Sequence, residues 1–125
     1  MKFKQSTAMV WAVVAAGTLP ALGADIGTAF TYQGYLEKPA GTPVTGSCHF
    51  EFSLWDDPVS TMAALHQIGP VVPKDVSVTT GVFTVNDLDF GSGALNGTAR
   101  WLEIKVCCPF PPPCTTELLT PRVEL

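Results

Sequence analysis

The sequence predicts an all-β protein, an antiparallel β-sandwich of about six to seven strands that follows a cleaved signal peptide. Short runs of alternating apolar and polar residues recur along the chain, at the spacing that is typical of such sandwiches. The 11 Gly and 11 Pro residues interrupt the segments in which a long helix could form. The apolar start of the chain predicts export.

Residues 1–23 have the three-part layout of a secretory signal. Lys2 and Lys4 give a positive start, residues 8–16 are apolar, and small residues surround Gly23. The apolar run is about half of the ~20 residues that a membrane span needs, which favours cleavage over anchoring. We expect a cut after Gly23, with Ala24 as the alternative. The predicted mature chain is a single domain, residues 24–125, without a membrane span, in the periplasm or outside the cell.

The charge of the mature chain limits its partners. Removal of Lys2 and Lys4 leaves five basic residues against eleven acidic ones, a net charge of −6. This balance provides no basic surface for nucleic acid and no polybasic patch for a membrane. We expect a protein or a glycan as partner, and no cofactor.

The alternating segments predict the strands and the core. Strands are expected over residues 29–36, 48–54, 75–79, 82–86 and 100–108, with a final short strand over 116–119, and Thr80-Gly81 predicts a hairpin turn. Residues 60–68 are expected to form a turn and a short strand. The predicted core consists of Phe50, Phe52, Leu54, Phe83, Val85, Leu102, Ile104 and Val106.

Four cysteines in an exported chain of this size predict two disulfides. The alternation places Cys48 and Cys108 on the inward faces of their strands and Cys107 on the opposite face. This favours Cys48–Cys108 and Cys107–Cys114 over the other two pairings. A zinc site is disfavoured because structural zinc sites normally use paired Cys clusters.

Residues suited to catalysis or metal binding are sparse. His49 and His66 are the only histidines, and Phe90-Gly91-Ser92-Gly93-Ala94 lacks the spacing of a hydrolase nucleophile elbow. A hydrolase is therefore a disfavoured alternative, and we assign no catalytic residue. Asp87 and Asp89 indicate an acidic strand end before a glycine turn rather than a metal site.

Outward-facing aromatic residues suggest a binding surface. Trp55 and Trp101, with Tyr32 or Tyr35, are placed where they could stack on a sugar ring. Such residues also cover the ends of sheets, so carbohydrate binding is an alternative function.

The proline-rich segment after Cys107 suggests a second surface. Pro109, Phe110 and three further prolines precede Cys114, so a Cys107–Cys114 disulfide would close a stiff loop that displays Phe110. The segment is interpreted as a partner-facing loop or as a simple connector between strands.

Six motifs in order carry a family resemblance: FTYQGYL (30–36), FEFSLWD (50–56), GVFTV (81–85), LDFG (88–91), ARWLEI (99–104) and TPR (120–122). They resemble an exported bacterial domain family that usually forms the N-terminal part of longer secreted, fibre-like proteins. The resemblance implies a β-sandwich without catalytic activity, and hence a secreted structural or interaction module of the cell exterior. Asn86-Asp87 holds one residue more than the family pattern, which predicts a β-bulge before Leu88.

Overall fold

The structure, a computed structural model, describes residues 4–5, 13–14, 28–109 and 113–125. It is an all-β sandwich of two antiparallel sheets, as the sequence predicts. The elements are β1 (Lys4–Gln5), β2 (Val13–Val14), β3 (Phe30–Lys38), a 3₁₀ turn (Pro39–Gly41), β4 (Thr42–Pro43), β5 (Gly46–Trp55), α1 (Ala63–His66), β6 (Gln67–Val78), β7 (Val82–Leu88), β8 (Trp101–Cys107) and β9 (Glu117–Glu124).

Strand β3 is the centre of the first sheet. Phe30 and residues 32–35 pair with β7, and the end of the strand pairs with β4. Leu36 shows that β7 and β4 lie on the same edge, since its N–H donates to the carbonyl of Gly81 and its carbonyl accepts from the N–H of Val44. The short strands β1 and β2 pair with β3 along the opposite edge, both antiparallel.

The second sheet has the strand order β6-β5-β8-β9, and its inner face supplies most of the core. Strand β5 lies between β6 and β8, so its alternating apolar residues are at the middle of the sandwich. The eight predicted core residues are all at most 2% exposed, which confirms the predicted inward faces. Tyr32, Leu36 and Leu88 complete the core from the first sheet.

The predicted hairpin forms at Thr80-Gly81. Both residues have positive φ, 47° and 83°, as a tight two-residue hairpin turn requires. Thr79 and Val82 close the turn with two reciprocal N–H to carbonyl hydrogen bonds of 3.0 Å. The turn carries the chain from β6 in one sheet to β7 in the other.

The predicted bulge before Leu88 is confirmed. Tyr32 pairs with Val85 and Phe30 pairs with Leu88, so β7 has one more residue than β3 between these two pairs. Asp87 has a φ of 54°, the left-handed conformation that a short polar side chain tolerates.

Three segments differ from the expectation. Strand β6 is one continuous strand over Gln67–Val78, whereas the sequence predicts a strand over residues 75–79 and a separate short strand within residues 60–68. Residues 63–66 form the short helix α1 rather than a strand, because the carbonyl of Met62 accepts the N–H groups of Leu65 and His66. Strand β9 continues to Glu124 although Pro121 interrupts its donors. Pro121 is tolerated because β9 is an edge strand, so the missing N–H need not remove a hydrogen bond between strands.

Both predicted disulfides are present. Cys48–Cys108 and Cys107–Cys114 have Cα–Cα distances of 4.6 and 5.6 Å. Cys107 is only 7% exposed, so its strand face is covered although it lies opposite the core. Phe110 and most of residues 1–23 lie outside the described residues. Among the described residues no helix is long and apolar enough to cross a membrane.

Candidate functional site

The outer face of the four-stranded sheet carries the two predicted tryptophans. Strand alternation turns Trp55 of β5 away from the core, and the register places it directly opposite Trp101 of β8. Ser53 and Glu103 form the next outward pair along the same two strands. The sequence therefore placed both tryptophans on the correct face.

Trp55 is nevertheless buried, with 4% exposure, because Arg122 covers its ring. The guanidinium carbon of Arg122 lies 3.8 Å from the centroid of the indole ring, a cation–π arrangement. The indole N–H donates to the Ser53 hydroxyl at 2.8 Å. The prediction that Trp55 offers an open stacking surface is wrong, whereas Trp101 is half-buried.

The predicted outward position of Tyr32, one of the two tyrosines considered, is also wrong. It is fully buried in the core, where its ring lies 5.9 Å from that of Phe83 and 6.3 Å from that of Phe52. Tyr35 is half-buried on the opposite face of β3. The four aromatic candidates therefore do not form one surface.

Arg122 connects β9 to the chain segment that follows β5. Its Nε and Nη2 donate to one carboxylate oxygen of Glu103 at 3.0 and 2.8 Å. Its Nη1 donates to the carbonyl of Asp57 at 2.8 Å, and Nη2 also donates to the carbonyl of Ser60. The side chains of Arg122 and Glu103 are only 7% and 13% exposed, so this is a nearly buried ion pair.

Sequence reasoning missed the role of Arg122. The only signal was its position in the TPR motif, which carried no structural meaning by itself. A positively charged residue on an edge strand is ordinarily interpreted as a solvated side chain. Only the fold brings residues 57–60 over β9.

Residues 57–62, which we name the pinned loop, are also ordered from within. The Asp57 carboxylate accepts the N–H groups of Val59 and Ser60 at 2.9 and 2.7 Å. These two hydrogen bonds, the Val59 one first, hold the pKa of Asp57 below its usual value. The Ser60 hydroxyl accepts the N–H of Met62 at 3.1 Å. These hydrogen bonds, with those from Arg122, fix the backbone of the pinned loop.

Large apolar side chains are exposed on the pinned loop and beside it. Val59, Met62 and Leu65 are 81%, 58% and 64% exposed. Leu118 of β9 and Val71 of β6, at 48% and 47%, line the neighbouring sheet surface. We name these five residues the apolar rim.

Two shallow grooves lie along the apolar rim. One, of about 440 Å³, is lined by Val59, Leu118 and Pro121. The other, of about 330 Å³, is lined by Val71 and Leu118 and is floored by Trp55. Leu118 borders both grooves. Exposed apolar side chains around grooves are typical of surfaces that bind another macromolecule.

The two histidines each face an aspartate. His49 Nδ1 lies 2.6 Å from Asp75 Oδ1, directly across the β5–β6 ladder. His66 Nδ1 lies 2.8 Å from Asp56 Oδ1, and the Asp56 N–H donates to the His66 carbonyl at 2.9 Å. The first pair links two strands. The second joins residues 56 and 66, which flank the pinned loop and α1.

At the opposite end of β5, a cleft of about 280 Å³ lies against the long disulfide. Lys38, Val44, Cys48, Cys108 and Pro109 line it together with neighbouring backbone. The acidic strand end predicted near residue 89 is present as a turn after β7, away from this cleft. The Thr28 hydroxyl and the Gly91 N–H donate to Asp89 and, in that order, lower its pKa.

Comparison with known protein families assigns the chain to one family. Residues 31–122, from β3 into β9, match the family described as Domain of unknown function (DUF8740). The match covers most of the chain, and the protein belongs to this family. Comparison with curated proteins gives no match, and neither does comparison with solved structures.

Proposed function

We propose that this protein is an exported, non-enzymatic interaction module of the bacterial cell exterior, and that it binds another protein through the apolar rim. The observation that carries the proposal is the exposure of Val59, Met62 and Leu65 on a loop that Arg122 fastens to the sheet. Apolar side chains on a loop that is already ordered lose little conformational entropy on binding.

The export part of the proposal rests on the signal-like residues 1–23 and on the two disulfides. Disulfides persist in oxidising compartments and are rare in the cytosol of ordinary cells. In this proposal one disulfide joins the ends of the neighbouring strands β5 and β8, the other closes the β8–β9 connection, and the apolar rim faces outward.

A protein partner is favoured over a glycan because Arg122 occupies the ring face of Trp55. A sugar would need that face for stacking, and the ion pair with Glu103 would have to break to free it. The hydrolase alternative is not favoured either, since the positions of both His–Asp pairs are explained by their links between neighbouring segments.

Site-specific photo-crosslinking tests the proposal. The full chain is expressed in an exporting bacterial host with a photo-crosslinking amino acid at Val59 or Leu65, and at Thr84 of β7 as a matched exposed control. We expect a discrete protein adduct from positions 59 and 65 and none from position 84. We also expect Leu65→Ser to remove the adduct from position 59.

Two results would contradict the proposal. Retention of residues 1–23 on a protein that stays inside the cell excludes export. Equal adducts from all three positions, or none from 59 and 65 in exported protein, exclude the apolar rim as the binding surface.

A further inference from the structure

We propose that the exported protein self-associates by antiparallel pairing of β3 with β3 of a second copy. The inference rests on the proposed export, because it concerns the edge of β3 that removal of residues 1–23 would free. The partner is a second copy of this chain, and the contact is a continuous sheet across two molecules.

The geometry of β3 shows which backbone groups this edge presents. Leu36 directs its N–H and carbonyl toward Gly81 and Val44, on the β7 side. In an antiparallel strand these directions alternate from residue to residue. Gln33 and Tyr35, an odd number of positions from Leu36, therefore direct theirs toward the other edge.

In the full chain β1 and β2 pair with the two ends of this edge, at residues 36–37 and 30–31. Lys4 pairs with Glu37, and Val13 pairs with Thr31, both in antiparallel register. Both short strands belong to residues 1–23. The segment predicted to be removed on export therefore supplies the strands along this edge, and its removal leaves β3 open to another antiparallel strand.

Loss of β1 and β2 also makes the two sheets unequal in width. The first sheet would retain β3 and β7 with the two-residue β4, against four strands in the second sheet. Strand β1 also lies against β9, so its removal leaves the β9 side of the sandwich without this neighbour. A strand from a second copy would extend the first sheet over this side.

The other sheet edges in the described part of the chain carry features that block strand addition. Strand β6 contains Pro70 and Pro73, and β9 contains Pro121. Strand β7 contains the bulge at Asp87. Prolines and bulges protect edges because they remove donors or twist the strand away. Strand β3 has neither of these features facing its open edge.

The sequence of β3 suits pairing with itself. A twofold axis makes two copies of one strand antiparallel, the orientation that β1 and β2 already adopt on this edge. The charged residues of β3 are Glu37 and Lys38, one of each sign, so the strand has no net charge. The net charge of the whole molecule is therefore not concentrated at the proposed contact.

The experiment uses protein exported from the full gene, with intact mass establishing that residues 1–23 are absent. Sedimentation equilibrium from low-micromolar to millimolar concentration measures the association state. We expect a reversible dimer for the wild type and for Gln33→Thr, which keeps the N–H at position 33. We expect Gln33→Pro to be monomeric, because it removes that N–H from the open edge.

Amide hydrogen exchange by NMR provides a readout that does not depend on the proline variant. The N–H groups of Gln33 and Tyr35 should exchange more slowly at high concentration, whereas that of Leu36 is bonded within one molecule and should not change. This measurement decides the question if Gln33→Pro does not fold.

The outcomes separate the two proposals. A cleaved protein that stays monomeric at millimolar concentration, or one whose exchange at residues 33 and 35 is independent of concentration, overturns β3 pairing and leaves export intact. A folded Gln33→Pro variant that still dimerises also overturns β3 pairing. Exported protein that retains residues 1–23 overturns β3 pairing alone, whereas protein that retains these residues and stays inside the cell overturns both proposals.

Discussion

At the scale of single residues, Arg122 stabilises the structure more than an arginine on an edge strand is expected to. Replacement by Ala would leave the carboxylate of Glu103 nearly buried without its partner and would release two carbonyls of the pinned loop. We expect Arg122→Ala to lower the free energy of unfolding by about 3–5 kcal/mol, as when one member of a buried ion pair is removed. Urea denaturation measures the change.

Lys105→Ala is the matched control for Arg122→Ala. Lys105 is an exposed cation on the same outer face, and its loss should change the stability by no more than about 0.5 kcal/mol. Arg122→Lys keeps the charge but cannot form the same fork of hydrogen bonds, so we expect it to restore only part of the stability. Equal stability of the Arg122→Ala and Lys105→Ala proteins would contradict the structural role assigned to Arg122.

The lowered pKa of Asp57 predicts a loss of folding stability in acid. Its folded-state pKa lies below the ordinary value of 3.8, because its carboxylate accepts the N–H groups of Val59 and Ser60. This contribution is present above the ordinary pKa and is lost as pH falls through the lower folded-state value. The melting temperature of the wild type should therefore fall more steeply below about pH 4 than that of Asp57→Asn.

Asn is the informative replacement because its side-chain oxygen still accepts the two hydrogen bonds but does not titrate in this range. The acid dependence is compared by calorimetry at matched ionic strength. Identical acid profiles for the two proteins would show that Asp57 is not part of the linkage.

The sequence predicted side-chain positions correctly where strand alternation alone determines whether a residue faces inward or outward. Alternation predicted the buried face of β5 and the outward direction of Trp55. It could not predict that Arg122 covers Trp55, since that contact joins residues 67 positions apart and depends on the path of the pinned loop. Tyr32 was misassigned because alternation gives two faces without stating which one meets the other sheet.

At the scale of elements, the aromatic layer between β5 and the first sheet is the most sensitive part of the core. Phe52 is fully buried and lies 5.7 Å from Phe50 and 6.3 Å from Tyr32, measured between ring centroids. We expect Phe52→Ala to cost about 3–5 kcal/mol, from lost apolar contacts and the cavity left behind. The comparison is the urea midpoint against that of Val82→Ala.

Val82 is 44% exposed on β7, so its truncation should change the stability little. A Phe52→Ala protein that unfolds at the same urea concentration as Val82→Ala would mean that the inward face of β5 is wrongly assigned.

Element boundaries were less predictable than strand faces. The turn before β6 is helical because the carbonyl of Met62 accepts two following N–H groups. The sequence did not predict this helix, because Gly69 and Pro70 limit the segment to a length at which a helix and a turn look alike. Strand β9 is longer than predicted because its edge position tolerates Pro121. In both cases the deciding factor is the neighbouring element rather than the local residue pattern.

At the scale of the whole molecule, the two disulfides should contribute unequally. Cys48–Cys108 closes a separation of 60 residues and Cys107–Cys114 one of 7. The loop-closure entropies correspond to about 4 and about 2.5 kcal/mol. We expect the pair Cys48→Ala and Cys108→Ala to lower the unfolding free energy more than the pair Cys107→Ala and Cys114→Ala.

The structural positions of the two bonds strengthen this expectation. Cys48 is fully buried in the core, so its replacement also removes apolar contacts, whereas Cys114, beyond β8, is only half-buried. Urea denaturation of the two double variants, with non-reducing peptide mapping of the wild type, provides the measurement. Equal losses of unfolding free energy would show that the Cys48–Cys108 bond does not restrain the unfolded chain more than the Cys107–Cys114 bond does. A Cys48–Cys114 peptide would contradict the connectivity.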